Sequence, residues 1–67
     1  MDLYAKPKLV REINRRSILK IVRHEKITTK SRIYELTNIS KQTIGIIVSS
    51  LIKENLIHEI GYCIWKE

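Results

Sequence analysis

The stretch from Ser40 to Lys53 sorts its side chains onto two faces. Ile44, Ile47, Val48, Leu51 and Ile52 recur at spacings of three and four, which is one apolar stripe along a helix. The other face carries Lys41, Gln42, Gly45, Ser49 and Lys53. These residue types suit recognition rather than bond-making. A helix start capped by Ser40 presents unpaired N–H groups and a positive dipole, a combination that attracts phosphate. The carboxamide of Gln42 can pair with adenine in a major groove. Thr43 can bond a phosphate or touch a thymine methyl. The bland alternative is a solvated helix face. Gly45 costs about 1 kcal/mol of helix propensity relative to Ala, which makes sense where DNA or another helix approaches the backbone. Ile46 has two readings: it covers a thymine methyl, or it flanks the core stripe. The expectation is the second.

A preceding element must hold that helix in place. Thr29 can cap a first helix, whose Ile33 and Leu36 lie three apart and share a face. Thr37-Asn38-Ile39 interrupts it. Asn38 suits a left-handed turn residue, and Ile39 is expected to pack between the two helices. Helix, short turn and capped second helix make a helix-turn-helix pattern. Thr29, Lys30 and Arg32 begin the first of these helices and suit clamping of a nucleic-acid backbone.

The flanking residues complete a small domain. Pro7 can open a helix from about Lys8, with Leu9, Val10 and Ile13 on one face. Asn14 can cap a further helix that ends near His24-Glu25. Its apolar side is Ile18, Leu19, Ile21 and Val22, and its wet side is Arg15, Arg16, Lys20 and Arg23. The two arginines Arg15 and Arg16 read as solvated charges in the first instance. Lys26-Ile27-Thr28 suits a brief strand. Asn55 suits a left-handed helix end, and Leu56–Ile60 suits a strand. Gly61-Tyr62 fits a two-residue type II′ turn, which pairs Ile60 with Cys63 and His58 with Trp65. The returning strand, Cys63–Lys66, completes a wing. Tyr62 and Lys66 can reach a minor groove or a phosphate from it, while Trp65 packs on the hairpin. The predicted fold is mainly α: a winged helix-turn-helix with a three-helix core and a short C-terminal β-hairpin. It occupies residues 14–67, after an N-terminal segment over residues 1–13.

Composition narrows the function. The 67 residues make one domain, and 43% hydrophobic content supplies one small aliphatic core. The net charge is +6, with Lys6, Lys8, Arg11, Lys26 and their neighbours crowding the N-terminal half, so a polyanion is the natural partner. The bland alternative is a generic lysine-rich surface. No run approaches the roughly 20 apolar residues of a membrane span, and Lys6, Lys8 and Arg11 break any leader-like stretch. The single cysteine, Cys63, forms no internal disulfide and fits a reducing cytoplasm. His24 and His58 are isolated, and no metal spacing, phosphate loop or carboxylate pair appears. No enzyme activity, cofactor, metal or small-molecule site is expected.

With these residues in place, the chain resembles the N-terminal winged-helix domain of ROK-family regulators, repressors whose larger C-terminal part is related to sugar kinases. The resemblance runs from about Leu9 to Gly61. It is carried by LVREINRRSIL at positions 9–19, LTNISKQTI at 36–44, LIKENLI at 51–57 and EIG at 59–61. It departs at Asn38, where the family usually has Gly, and at Tyr34, where a small residue is common. Gly45 and Ile46 stand where Ser and a basic residue are frequent. The family's Gly-rich, Arg-bearing wing tip is not found at this hairpin, and these 67 residues do not include a stretch like its effector domain.

The resemblance implies that Ser40, Lys41, Gln42, Thr43 and Ser49 face double-stranded DNA. It further implies an operator-reading module of a sugar-responsive, cytoplasmic repressor, excised or lacking its effector domain, with dimers on two-fold sites. A homodimer is therefore an open expectation, and Leu9, Val10 and Ile13 form the face available for it. The rival is a winged helix that docks a protein on the same face. The apolar Gly45-Ile46 pair favours the rival; Lys30, Arg32 and Lys41 around it favour DNA.

Overall fold

The computed structural model describes residues 7–66. Residues 1–6 of the expected N-terminal segment, Lys6 included, lie outside the described residues. Six elements follow in order: α1 (Pro7–Glu25), β1 (Ile27–Thr28), α2 (Lys30–Thr37), α3 (Lys41–Lys53), β2 (Ile57–Glu59) and β3 (Cys63–Trp65). Three helices beside a small antiparallel sheet define a winged helix-turn-helix.

The two helices expected from Lys8 and from Asn14 are one helix of 19 residues, α1, and Asn14 is not a cap. Pro7 occupies the first helical position, where its missing N–H costs nothing. From Lys8 to Glu25 there is no further Pro and no Gly, so nothing interrupts propagation. The helix stops where Lys26 turns left-handed (φ 69°) and its N–H bonds Val22 O at 2.8 Å.

The helix-turn-helix has the expected joints. The Thr29 hydroxyl accepts from Arg32 N at 3.0 Å. Asn38 closes α2 in the left-handed region (φ 59°), its N–H bonding Tyr34 O. The Thr37 hydroxyl supports the turn from both sides: it donates to Ile33 O and accepts from Ile39 N. Asn55 is also left-handed (φ 63°) and ends the turn after α3.

The core draws on every layer. Ile18 and Val22 come from α1, Ile33 from α2, and Ile44, Ile47, Val48 and Leu51 from α3. Ile57 and Cys63 come from the hairpin. Ile39 packs against this cluster, together with Leu19, Ile21, Ile52, Leu56 and Trp65. Leu36 does not join it and stays 49% exposed. A residue three places on is rotated about 60° from its partner, and a helix of barely two turns buries only a narrow line. Leu9 and Ile13 on α1 are exposed too.

The wing forms, but not in the expected register. Glu59 pairs with Cys63, His58 with Ile64 and Ile57 with Trp65. A three-residue loop, Ile60-Gly61-Tyr62, replaces the two-residue turn, with Gly61 at φ +79° and Ile60 N donating to Tyr62 O. Ile60 is therefore not opposite Cys63, nor His58 opposite Trp65. The reason is burial. Opposed residues share a sheet face, so this register sends both Ile57 and Cys63 into the core. A one-residue slip would turn Ile57 outward. Ile60 is left 74% exposed at the tip. β1 adds to the free edge of β3, pairing Thr28 with Cys63, so the strand order is β1-β3-β2.

Candidate nucleic-acid interface

α3 buries one side and opens the other. Ile44, Val48 and Leu51 are fully buried, while Lys41, Gln42, Ile46, Ser49 and Lys53 are exposed. At its start the Ser40 hydroxyl accepts from Thr43 N at 3.2 Å and donates to Thr43 Oγ1 at 2.8 Å. Thr43 is thus half-buried and held by the cap, with its own O–H left to donate. Next to it, the Lys41 ammonium lies 5.5 Å from the centre of the Tyr34 ring. That contact orients the cation at the helix start. Tyr34 is 38% exposed and points outward enough to make it.

Further along α3, Gln42, Gly45, Ile46, Ser49 and Lys53 line a shallow open groove that also takes in Lys30 and Ser50. Ile46 is 62% exposed, so it stands at the rim of the core stripe and projects into the open rather than packing with it. Gly45 is not there for want of space. A Cβ at that position would meet nothing within 4 Å, and its φ is not left-handed. Gly45→Ala should therefore raise the melting temperature by about 4–8 °C, the response of a domain this size to the roughly 1 kcal/mol helix cost of glycine. A lower melting temperature would mean that the chain itself requires the glycine.

The structure gathers some of the expected residues and separates others. Lys30 reaches the groove but also pairs with Glu59 of β2 at 3.1 Å, tying the start of α2 to the wing. Arg32 turns away to Glu25 at the end of α1, at 3.2 Å. Tyr62 is exposed in the wing loop. Lys66 is at the other end of the hairpin, where its ammonium donates to Asn55 Oδ1 and its N–H to Leu56 O. Tyr62 and Lys66 therefore do not converge. Lys53, which its helical spacing already put on this face, lines the groove, and Glu59, which had no expected role, reaches this surface through Lys30. The approach of Glu59 to Lys30 depends on the wing register.

Other titratable groups lie outside the groove. Arg15 pairs with Glu54 and braces α1 against the end of α3. Burial, and then the carboxylate of Glu59, push the Cys63 thiol above its ordinary value. His58 is exposed and pairs with Ile64 on the opposite sheet face, so it cannot serve Cys63. Among the described residues no cluster of three His, Cys, Asp or Glu side chains is placed to hold a metal ion. Nor is any helix there long and apolar enough to cross a membrane.

Comparison with known proteins adds one similarity to this geometry. The chain is 33% identical over 61 residues to the xylose repressor of Bacillus spizizenii, a stretch that covers 91% of this chain and 16% of that protein. It supports the resemblance to repressors drawn from the motifs. No family model matches the chain. No solved structure matches it either.

Proposed function

We propose that the chain binds double-stranded DNA in a sequence-specific way through α3. In this reading it is the operator-reading module of a ROK-type bacterial repressor of sugar metabolism, acting in the cytoplasm and without catalysis. The observation that carries the reading is the outer face of α3. It is a capped helix N-terminus followed by an open groove lined by Gln42, Ser49, Lys30 and Lys53, with Glu59 beside it paired to Lys30. The similarity to a xylose repressor supports the biological role.

The division of labour follows from position. Ser40, Lys41 and Thr43 surround the start of α3, where free N–H groups and the helix dipole favour a phosphate. Thr29 and Lys30 begin α2 and serve the backbone as well. Gln42 and Ser49 face the bases, and Tyr62 reaches the flanking backbone from the wing. One module buries a modest interface, so its affinity alone is low and falls steeply with salt. Pairing of two copies on a two-fold site raises it by linkage.

The direct test is selection of bound fragments from genomic DNA, with sequencing, followed by titration of the enriched site. Enrichment of a common sequence is expected; recovery of fragments without one removes the operator-reading function. The exposed Ile46 favours a second reading, in which this face docks a protein, and an absence of DNA binding would leave that reading in possession.

The Lys30–Glu59 pair allows a sharper check. Glu59→Gln removes a negative charge beside the groove and releases Lys30 to phosphate. Affinity for any duplex should rise about two- to fivefold, the ~0.5–1 kcal/mol scale of exposed ion pairs. Unchanged affinity in a low-salt titration would place Lys30 outside the contact surface.

A further inference from the structure

We infer that Ile46 is a specificity residue that reads the 5-methyl group of a thymine, with Gly45 letting the base pair approach. This rests on the reading of α3 as the helix that enters a major groove. Ile46 is 62% exposed in the middle of α3, and the buried stripe of Ile44, Ile47, Val48 and Leu51 is complete without it. A β-branched side chain brings no helix propensity to an exposed position. Its neighbour Gly45 weakens the helix, although a Cβ there would touch nothing in the chain. Neither residue is explained by the folding of α3. Together they present a bare patch of backbone beside a projecting aliphatic group.

The surroundings select the occupant. Gln42 and Ser49 lie one turn before and after this pair on the same face. Lys30 and Lys53 also line the groove. An apolar protein surface pressed onto Ile46 would have to desolvate the Lys53 ammonium, and that of Lys30 with only Glu59 to offset it. A nucleic-acid groove supplies phosphates to those lysines. The apolar group that base edges offer in a major groove is the thymine methyl. Aliphatic burial against it fits Ile46, and the missing side chain at Gly45 leaves room for the base pair that bears it.

The test uses duplexes recovered from a random library by the 67-residue chain. Each thymine of the recovered site is replaced in turn by deoxyuridine, which removes only the methyl group. At one position the parent chain should lose about fourfold in affinity, the value of one buried methyl-sized group. Ile46→Ala should bind the thymine and uracil duplexes alike, close to the parent's affinity for the uracil form. The inference is overturned if the parent is indifferent to every replacement, or if Ile46→Ala keeps the difference. In either case a continued preference for the recovered site over a scrambled one leaves base reading by α3 standing. Loss of that preference in the parent removes both. The deoxyuridine arm needs no variant, so no folding defect can imitate its result.

Discussion

Replacing Ile33 with alanine should cost about 2–5 kcal/mol of stability, the usual range for emptying a fully buried aliphatic site. Ile33 has no exposed surface and is the buried residue of the eight-residue α2. A 67-residue domain has roughly 3–10 kcal/mol in all, so the upper part of this range leaves little folded protein. Leu36→Ala is the control. Leu36 is half-exposed, so its truncation should stay within roughly 0.5 kcal/mol. Urea unfolding of both variants gives the comparison. Similar midpoints would mean that α2 rests on both residues, as their spacing in the sequence implies, and that Ile33 is not its anchor. The effect should carry into function, because Lys30 keeps its place in the groove along α3 only while α2 is docked.

Gln42→Ala and Lys41→Ala should fail in different ways. Gln42 is exposed on α3, away from Ile44 and Val48, one turn before the Gly45-Ile46 patch. Its amide can make a two-bond contact with adenine, worth roughly 1–3 kcal/mol of discrimination. Removing it should flatten the preference among sequences while binding to random DNA barely changes. Lys41 is steadied by Tyr34 at the first residue of α3, where a phosphate is the expected neighbour. Removing it should weaken all duplexes alike and reduce the slope of log affinity against log salt by roughly 1. Fluorescence titration against a selected and a scrambled duplex at two salt concentrations separates the outcomes. If both folded variants bind as the parent does, α3 is not reading DNA, and docking of a protein on this face becomes the better account.

The helix-turn-helix was legible because its signals are local. Caps at Thr29 and Ser40, a left-handed asparagine at position 38 and a three-to-four apolar spacing each act within one or two turns of chain. The outer face of α3 was legible for the same reason: helical periodicity separates Gln42 and Ser49 from Ile44 and Leu51. Asn14 misled because an amide that favours a helix cap is still accepted inside a helix at a small cost. Only an interruption of the chain decides between them, and α1 has none.

What the tertiary structure alone decided is non-local. A Gly61-Tyr62 dipeptide accepts more than one turn, and the choice fell to the joint burial of Ile57 and Cys63, which are six positions apart in sequence and on one face of the folded sheet. That register in turn brought Glu59 to Lys30 and gave β1 an edge of β3 to join. Exposure was decided the same way. Leu36 and Ile46 are aliphatic residues beside apolar stripes, and spacing alone cannot tell the rim of a stripe from its floor. Burial depends on where neighbouring elements stop, and here Ile33 and Ile44 lie inside the shared core while Leu36 and Ile46 are left in the open.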